Sequence, residues 1–167
     1  GDNGSPQEVC SIVHDHTKIC GGKSLTVDRG THVPLICSWP GTISTGSVPK
    51  DLVDSSDFLP TILDAAGITS SDDYVMDGRS FLPQLKGEKG NPRDWMFFHF
   101  DQNAQGANNP RFRRFVRDHR WKLYEDGQLY DIGTDPEEES AFKPGSDTEE
   151  SASARSDLYT VFAQMVP

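Results

Sequence analysis

The sequence predicts a mixed α/β chain, with an α/β core portion over residues 1–88 and a small antiparallel sheet packed on a C-terminal helix over residues 89–167. Three observations predict it. A short apolar run, Val33 to Ser38, is followed by a helical pattern from Asp54 to Ala66. From Trp95 to Ile132 the apolar residues fall in four short runs, with an Asp-Gly turn between the last two. A helical pattern returns from Arg155 to Val166.

Residues 2–22 contain Gly, Ser, Pro and two histidines without a sustained period and read as loop. Val33 to Ser38 reads as a buried strand closed by Pro40-Gly41. From Asp54 to Ala66 the pattern predicts a helix capped by Asp54 or Ser55. Pro60 lies in its first turn, Phe58, Ile62, Leu63 and Ala66 lie on one apolar face, and Gly67 ends it. Thr69 to Asp73 reads as a polar connection, and Ser80 to Leu85 as a short helix ended by Gly87. Glu88 to Arg93, charged and containing Gly and Pro, is the expected boundary.

Beyond it, Trp95–Phe100, Arg113–Arg117, Trp121–Tyr124 and Gln128–Ile132 read as strands, with Glu125-Asp126-Gly127 as the hairpin turn. Asn103 to Pro110 reads as a loop. The acidic, Ser-rich stretch Asp135 to Ser153 is expected to be mobile. In the last helix Leu158, Val161, Phe162 and Met165 share a face.

The balance of 16 basic against 26 acidic residues, a net charge of −10, argues against a nucleic-acid partner. Arg111, Arg113, Arg114, Arg117, Arg120 and Lys122, interleaved with Phe112, Phe115 and Trp121, therefore read as amphipathic strands with one solvated face. No apolar run approaches the length of a membrane span, and no charged start leads into an apolar leader. Of three cysteines, Cys37 reads as a buried small hydrophobe. Cys10 and Cys20 are able to pair in an oxidising compartment, or to join His14 and His16 in a zinc site of unusual spacing.

The stretch Gly21-Gly22-Lys23-Ser24-Leu25-Thr26-Val27-Asp28-Arg29-Gly30 joins a glycine turn to a lysine. Glycines admit close backbone approach, and a lysine supplies a compact positive charge. Together with Asp2-Asn3-Gly4 upstream, Trp39-Pro40-Gly41 downstream, Asp57-Phe58-Leu59-Pro60-Thr61 and Trp121-Lys122-Leu123-Tyr124, it resembles the sulfatase family of the alkaline-phosphatase-like superfamily. The resemblance matches the C-terminal part of a family member. Ser24-Leu25-Thr26 stands where the family has Gly-Thr-Thr, and Asp28-Arg29-Gly30 where it has Glu-Gly-Gly.

The resemblance implies a partial alkaline-phosphatase-like sandwich as the fold and, for a longer parent, hydrolysis of sulfate esters by a formylglycine nucleophile with calcium. It implies that Asp2 and Asn3 ligate the calcium, that Lys23 contacts the sulfate, and that His14 or His16 lies near the substrate. The nucleophile motif Cys/Ser-x-Pro-x-Arg is absent from the sequence, so the chain alone is expected to be inactive; Asp2 and Asn3 offer only a few of the ~6–8 oxygens calcium prefers, so weak calcium binding with no ordered ion is expected. Two alternatives stay open, a metal-dependent phosphoesterase of the same superfamily and a non-catalytic binding or assembly module. Strand edges and the 54–66 helix face, bared by truncation, are expected to make the isolated chain a homodimer or larger, with residues 33–66 at or near the contact. Family members are commonly exported, which leaves the compartment open.

Overall fold

The computed structural model describes residues 1–69, 74–101 and 112–166. The Asn103–Pro110 loop, Arg111 and most of the Thr69–Asp73 connection lie outside these residues. The fold is mixed α/β with a small antiparallel sheet, and it forms two units, Gly1–Leu35 with Phe97–Pro167, and Ile36–Met96. The division thus differs from the expected break at 88/89. The first 35 residues belong with the C-terminal sheet because side chains of that sheet hold them, as described below.

In the first unit, strands β3 (Met96–Phe100), β4 (Arg113–Arg117), β5 (Trp121–Tyr124) and β6 (Leu129–Asp131) form one sheet in sequence order. Phe115 lies opposite Tyr124, and Lys122 lies opposite both Arg117 and Tyr130. The β5–β6 turn is the expected one. Gly127 takes φ +86°, and the Asp126 carboxylate accepts the Gln128 N–H at 3.1 Å.

Strand alternation sends Phe115, Arg117, Lys122, Tyr124 and Tyr130 to one face, and Val116, Trp121, Leu123 and Leu129 to the other. Both faces are covered, so every residue of β5 and β6 is buried. This corrects the expected solvated basic face. Arg117 and Lys122 point into the protein, where carboxylates await them. Phe98 stacks on Phe115 with ring centres 4.5 Å apart, while Phe97 meets Phe162 edge-on.

Phe162 belongs to helix α4 (Glu149–Met165), which starts six residues before the expected Arg155. Thr148 and Ser151 form a reciprocal capping box, and Glu149 and Glu150 sit favourably in the first turn. Its first inward residues, Ser151, Ala154 and Arg155, are small or charged and hide the apolar period. Met165 is exposed rather than inward.

The acidic stretch before α4 is held rather than mobile. Asp135 accepts the backbone N–H groups of Glu139 and Ser140, Glu138 is buried, and Asp147 pairs with Arg155 at 2.7 Å. At the other end of the chain, β1 (Cys10–Ile12) and β2 (Lys18–Cys20) make an exposed hairpin where loop was expected. A Cys10–Cys20 disulfide closes it. That bond removes both thiolates from the zinc alternative.

No strand forms over residues 33–38. Among the described residues none offers this run a hydrogen-bonding ladder, and Leu35 and Ile36 are exposed. Cys37 is free and half-buried rather than buried.

In the second unit a 3-10 turn (Ser55–Asp57) leads into helix α2 (Phe58–Ala65), with Asp54 as the cap. The inward residues are Asp57, Pro60 and Thr61, not the expected Phe58–Ile62–Leu63–Ala66 face. Ile62 is 64% exposed. Polar anchors orient the helix. The Asp57 carboxylate accepts from Arg93 Nε at 2.8 Å and from the Arg79 backbone N–H at 2.8 Å. Thr61 Oγ1 donates to the Asp57 carbonyl and accepts the Phe81 N–H. Helix α3 (Leu82–Leu85) follows, with Pro83 in its first turn.

Candidate functional site

The site is a cleft of about 290 Å³ in the first unit, lined by Asp2, Asn3, Lys23, Ser24, Leu25, Gly30, Thr31, Phe98 and Phe100. Three glycines let its two halves meet. A Cβ on Gly4 would lie 2.4 Å from the Arg29 carbonyl oxygen, one on Gly22 2.6 Å from Arg29, and one on Gly30 2.2 Å from the Leu25 carbonyl oxygen. Backbone bonds from Gly4 N–H to Gly30 O (3.3 Å) and from Lys23 N–H to Ser5 O (3.0 Å) then dock the Asp2-Asn3 turn on the lysine loop. These contacts bring Lys23 to the adjacent pair Asp2 and Asn3, which lie about 20 residues before it along the chain.

Lys23 is exposed and makes no ion pair among the described residues, so its ammonium is available to a ligand. Asp2 and Asn3 are also exposed, with Asn3 Nδ2 donating to Asp2 Oδ2 at 2.9 Å. Ser24, beside the lysine, is held at φ +69°, a left-handed backbone that favours glycine. The family pattern's glycine at this place answers to that conformation. Arg29 replaces a family glycine without such strain. It lies in helix α1 (Asp28–Thr31), where its Nη1 donates to the Gly21 carbonyl at 3.2 Å and its Nε lies 2.8 Å from Glu137 Oε2.

His14 and His16 occupy the exposed tip of the β1–β2 hairpin, and neither lines the cleft. Among the described residues no group of three or more His, Cys, Asp or Glu side chains is arranged to hold a metal ion. No described helix is long and apolar enough to cross a membrane.

Sequence reasoning missed the residues behind the cleft. Lys122 on β5 is fully buried, and its Nζ contacts Glu138 Oε1 at 2.5 Å and the Thr26 carbonyl. Tyr124 Oη bonds Thr26 Oγ1 at 2.8 Å and Glu138 Oε2 at 2.6 Å. Burial pushes the Tyr124 phenol well above its ordinary value, and the Glu138 charge adds to the shift. Asp28 Oδ1 accepts from Arg117 Nη1 at 2.9 Å. No local signal marked this cluster in the sequence: Glu138 stands between Glu137 and Glu139, and spacing does not distinguish it from either.

Residues 22–161 match the family described as "N-sulphoglucosamine sulphohydrolase, C-terminal", and the chain belongs to that family. Among similar proteins, an arylsulfatase of Hemicentrotus pulcherrimus is 29% identical over 138 residues, covering 83% of this chain and 25% of that protein. A ulvan-active sulfatase of Formosa agariphila is 36% identical over 103 residues, 60% of this chain and 20% of that protein. The solved structure of a 2-O GAG sulfatase superposes with a TM-score of 0.50 at 24% identity, covering 65% of this chain and 24% of that one. The chain therefore spans about a quarter of the length of its relatives.

Proposed function

We propose that this chain is the C-terminal part of a sulfuric ester hydrolase and supplies one wall of its sulfate-binding site. The observation that carries the reading is the convergence of Asp2, Asn3 and Lys23 on one cleft within a sulfatase-family chain. The Lys23 ammonium faces the ester's sulfate oxygens and stabilises the charge that builds on the leaving oxygen.

Asp2 and Asn3 suit calcium in kind, since it prefers hard oxygen donors, and their side chains are exposed at the cleft. They fall short in number, because a carboxylate and a carboxamide offer at most three of the ~6–8 oxygens calcium takes. They would be two ligands of a shell completed by a longer parent, where the ion would neutralise sulfate charge. The formylglycine of the family mechanism would supply the nucleophile from outside this chain, whose sequence has no Cys/Ser-x-Pro-x-Arg. The relatives carry the names arylsulfatase, ulvan-active sulfatase, steryl-sulfatase and N-acetylglucosamine-6-O-sulfatase, which supports a sulfate ester as the substrate class. The exposed Ile36, Phe58, Leu59 and Ile62 support residues 33–66 as a contact surface, for the remainder of such a parent or for a second copy.

The complete reading frame, produced with its formylglycine formed, tests this. Release of a chromogenic phenol from an aryl sulfate is expected, with a loss of about 10²–10³-fold in Lys23→Ala. The 167-residue chain alone is expected to show no turnover and no micromolar calcium binding. A reading frame without the nucleophile motif, or full activity in Lys23→Ala, would overturn the proposal.

A further inference from the structure

The loop that carries Lys23 is gripped from behind by groups that never reach the cleft. The Thr26 carbonyl is taken by Lys122 Nζ and its hydroxyl by Tyr124 Oη. Glu138 closes the cluster by contacting Lys122 and Tyr124 through separate oxygens. The ammonium of Lys122 also lies 4.0 Å from the centre of the Phe115 ring. Glu138 sits at φ +60°, an unfavourable backbone for a glutamate, so its placement costs the fold free energy. A buried charged pair is a weak source of net stability, because desolvation offsets its attraction. This one, however, ends on a main-chain atom three residues from the cleft lysine. On the near side, the Lys23 N–H is fixed to the Ser5 carbonyl and its own carbonyl to Gln7 Nε2 at 3.0 Å. The four residues Lys23 to Thr26 are thus strung between two anchors, with Ser24 strained between them.

We propose that Lys122, Tyr124 and Glu138 are positioning residues for Lys23. By holding Thr26 they set where the Lys23 ammonium stands relative to Asp2 and Asn3, and so how well it meets a sulfate oxygen. This rests on the reading of the cleft as a sulfate site. None of the three touches substrate.

The test is a mutant cycle in the complete, formylglycine-bearing protein. Tyr124→Phe removes one hydroxyl and keeps the ring. Thr26→Val removes its partner and keeps the shape, giving a second route should the first variant fail to fold. Each is combined with Lys23→Ala. The expected result is a fall of about tenfold in kcat/KM for either single variant, as for a misplaced catalytic group. In the Lys23→Ala background the same changes are expected to cost less than twofold, since a displaced lysine is already gone. A merely structural role would lower kcat/KM by the same factor with or without Lys23, and that outcome overturns the proposal. So does a single-variant loss below twofold. Full activity in Lys23→Ala sinks the cleft reading as well, which separates the two failures. A second readout needs no turnover. With lysines carrying ¹³C-methyl groups, the Lys23 signal is expected to shift on adding inorganic sulfate, and about tenfold more sulfate is expected to be needed in Tyr124→Phe. An unchanged sulfate response in that variant overturns the proposal.

Discussion

The sheet-bearing unit and the 36–96 unit both bury charge, but they use it differently. In the first, Arg117, Lys122 and Arg155 each bind several groups: Glu138 and Asp147 from the sheet-to-helix connection, and Thr26 and Asp28 from a distant part of the chain. They are laid over a wide apolar core of Phe115, Val116, Leu123, Leu129 and Leu158. In the second, the buried apolar residues are chiefly Phe81 and Leu82 among the described residues, and the Asp57–Arg93 ion pair ties the start of α2 to Arg93. The difference teaches that a polar clamp carries more of the load where the apolar core is small.

That contrast can be broken most sharply at Asp57. Its carboxylate is 1% exposed and accepts from Arg93, the Arg79 backbone and the Asp54 backbone. Asp57→Asn leaves Arg93 buried without its counter-charge, and a loss of about 3–5 kcal/mol is expected by urea denaturation, confined to the 36–96 unit. Burial pushes the Asp57 carboxyl up, but the hydrogen bonds from Arg93 and the two backbone groups outweigh it, so the group titrates below its ordinary 3.8. The unfolded chain therefore binds more protons just below that value. The Asp57 contribution is full above it and is lost as pH falls through the folded value. The wild-type advantage over Asp57→Asn is expected to shrink in acid, and a constant gap down to pH ~2 would contradict this.

The next largest effect is expected in the sheet. Leu123→Ala removes a side chain with no exposed surface, at an expected cost of about 2–5 kcal/mol by the same measurement. If Leu123→Ala proved milder than 1 kcal/mol, the apolar core would not be what distinguishes the two units.

Smaller still is Ser24→Gly. It relieves the left-handed backbone beside Lys23, and a gain of about 1 kcal/mol is expected in thermal or urea unfolding. Smallest is Ile62→Ser. Although the helical period marks this residue as core, it is 64% exposed, and a change within about 0.5 kcal/mol is expected. A loss above 2 kcal/mol in the 167-residue chain would mean that a second copy, rather than the remainder of a longer parent, covers the apolar side of α2. Light scattering would then identify a second copy as the cover.

Local physics made several parts of this protein legible in the sequence. Asp126-Gly127 announced the hairpin because a left-handed residue is cheap only for glycine. Asp54 announced a helix start, and the four apolar runs announced the strands of the sheet. Asp2, Asn3 and Lys23 became candidates only through a resemblance to a family whose motifs are local in sequence. Other features depended on what lies across space. Whether 33–38 becomes a strand depends on a neighbour to share its hydrogen bonds, and no local pattern reports that neighbour. The inward side of α2 was set by Asp57 and Thr61 finding Arg93, Arg79 and Phe81, contacts 20 to 36 residues away that overrode the apolar period. The clamp behind Lys23 joins Thr26 to Lys122, 96 residues apart. A buried lysine reads in sequence like any solvated one, and only the packed fold shows the carboxylate and carbonyl that make its burial tolerable.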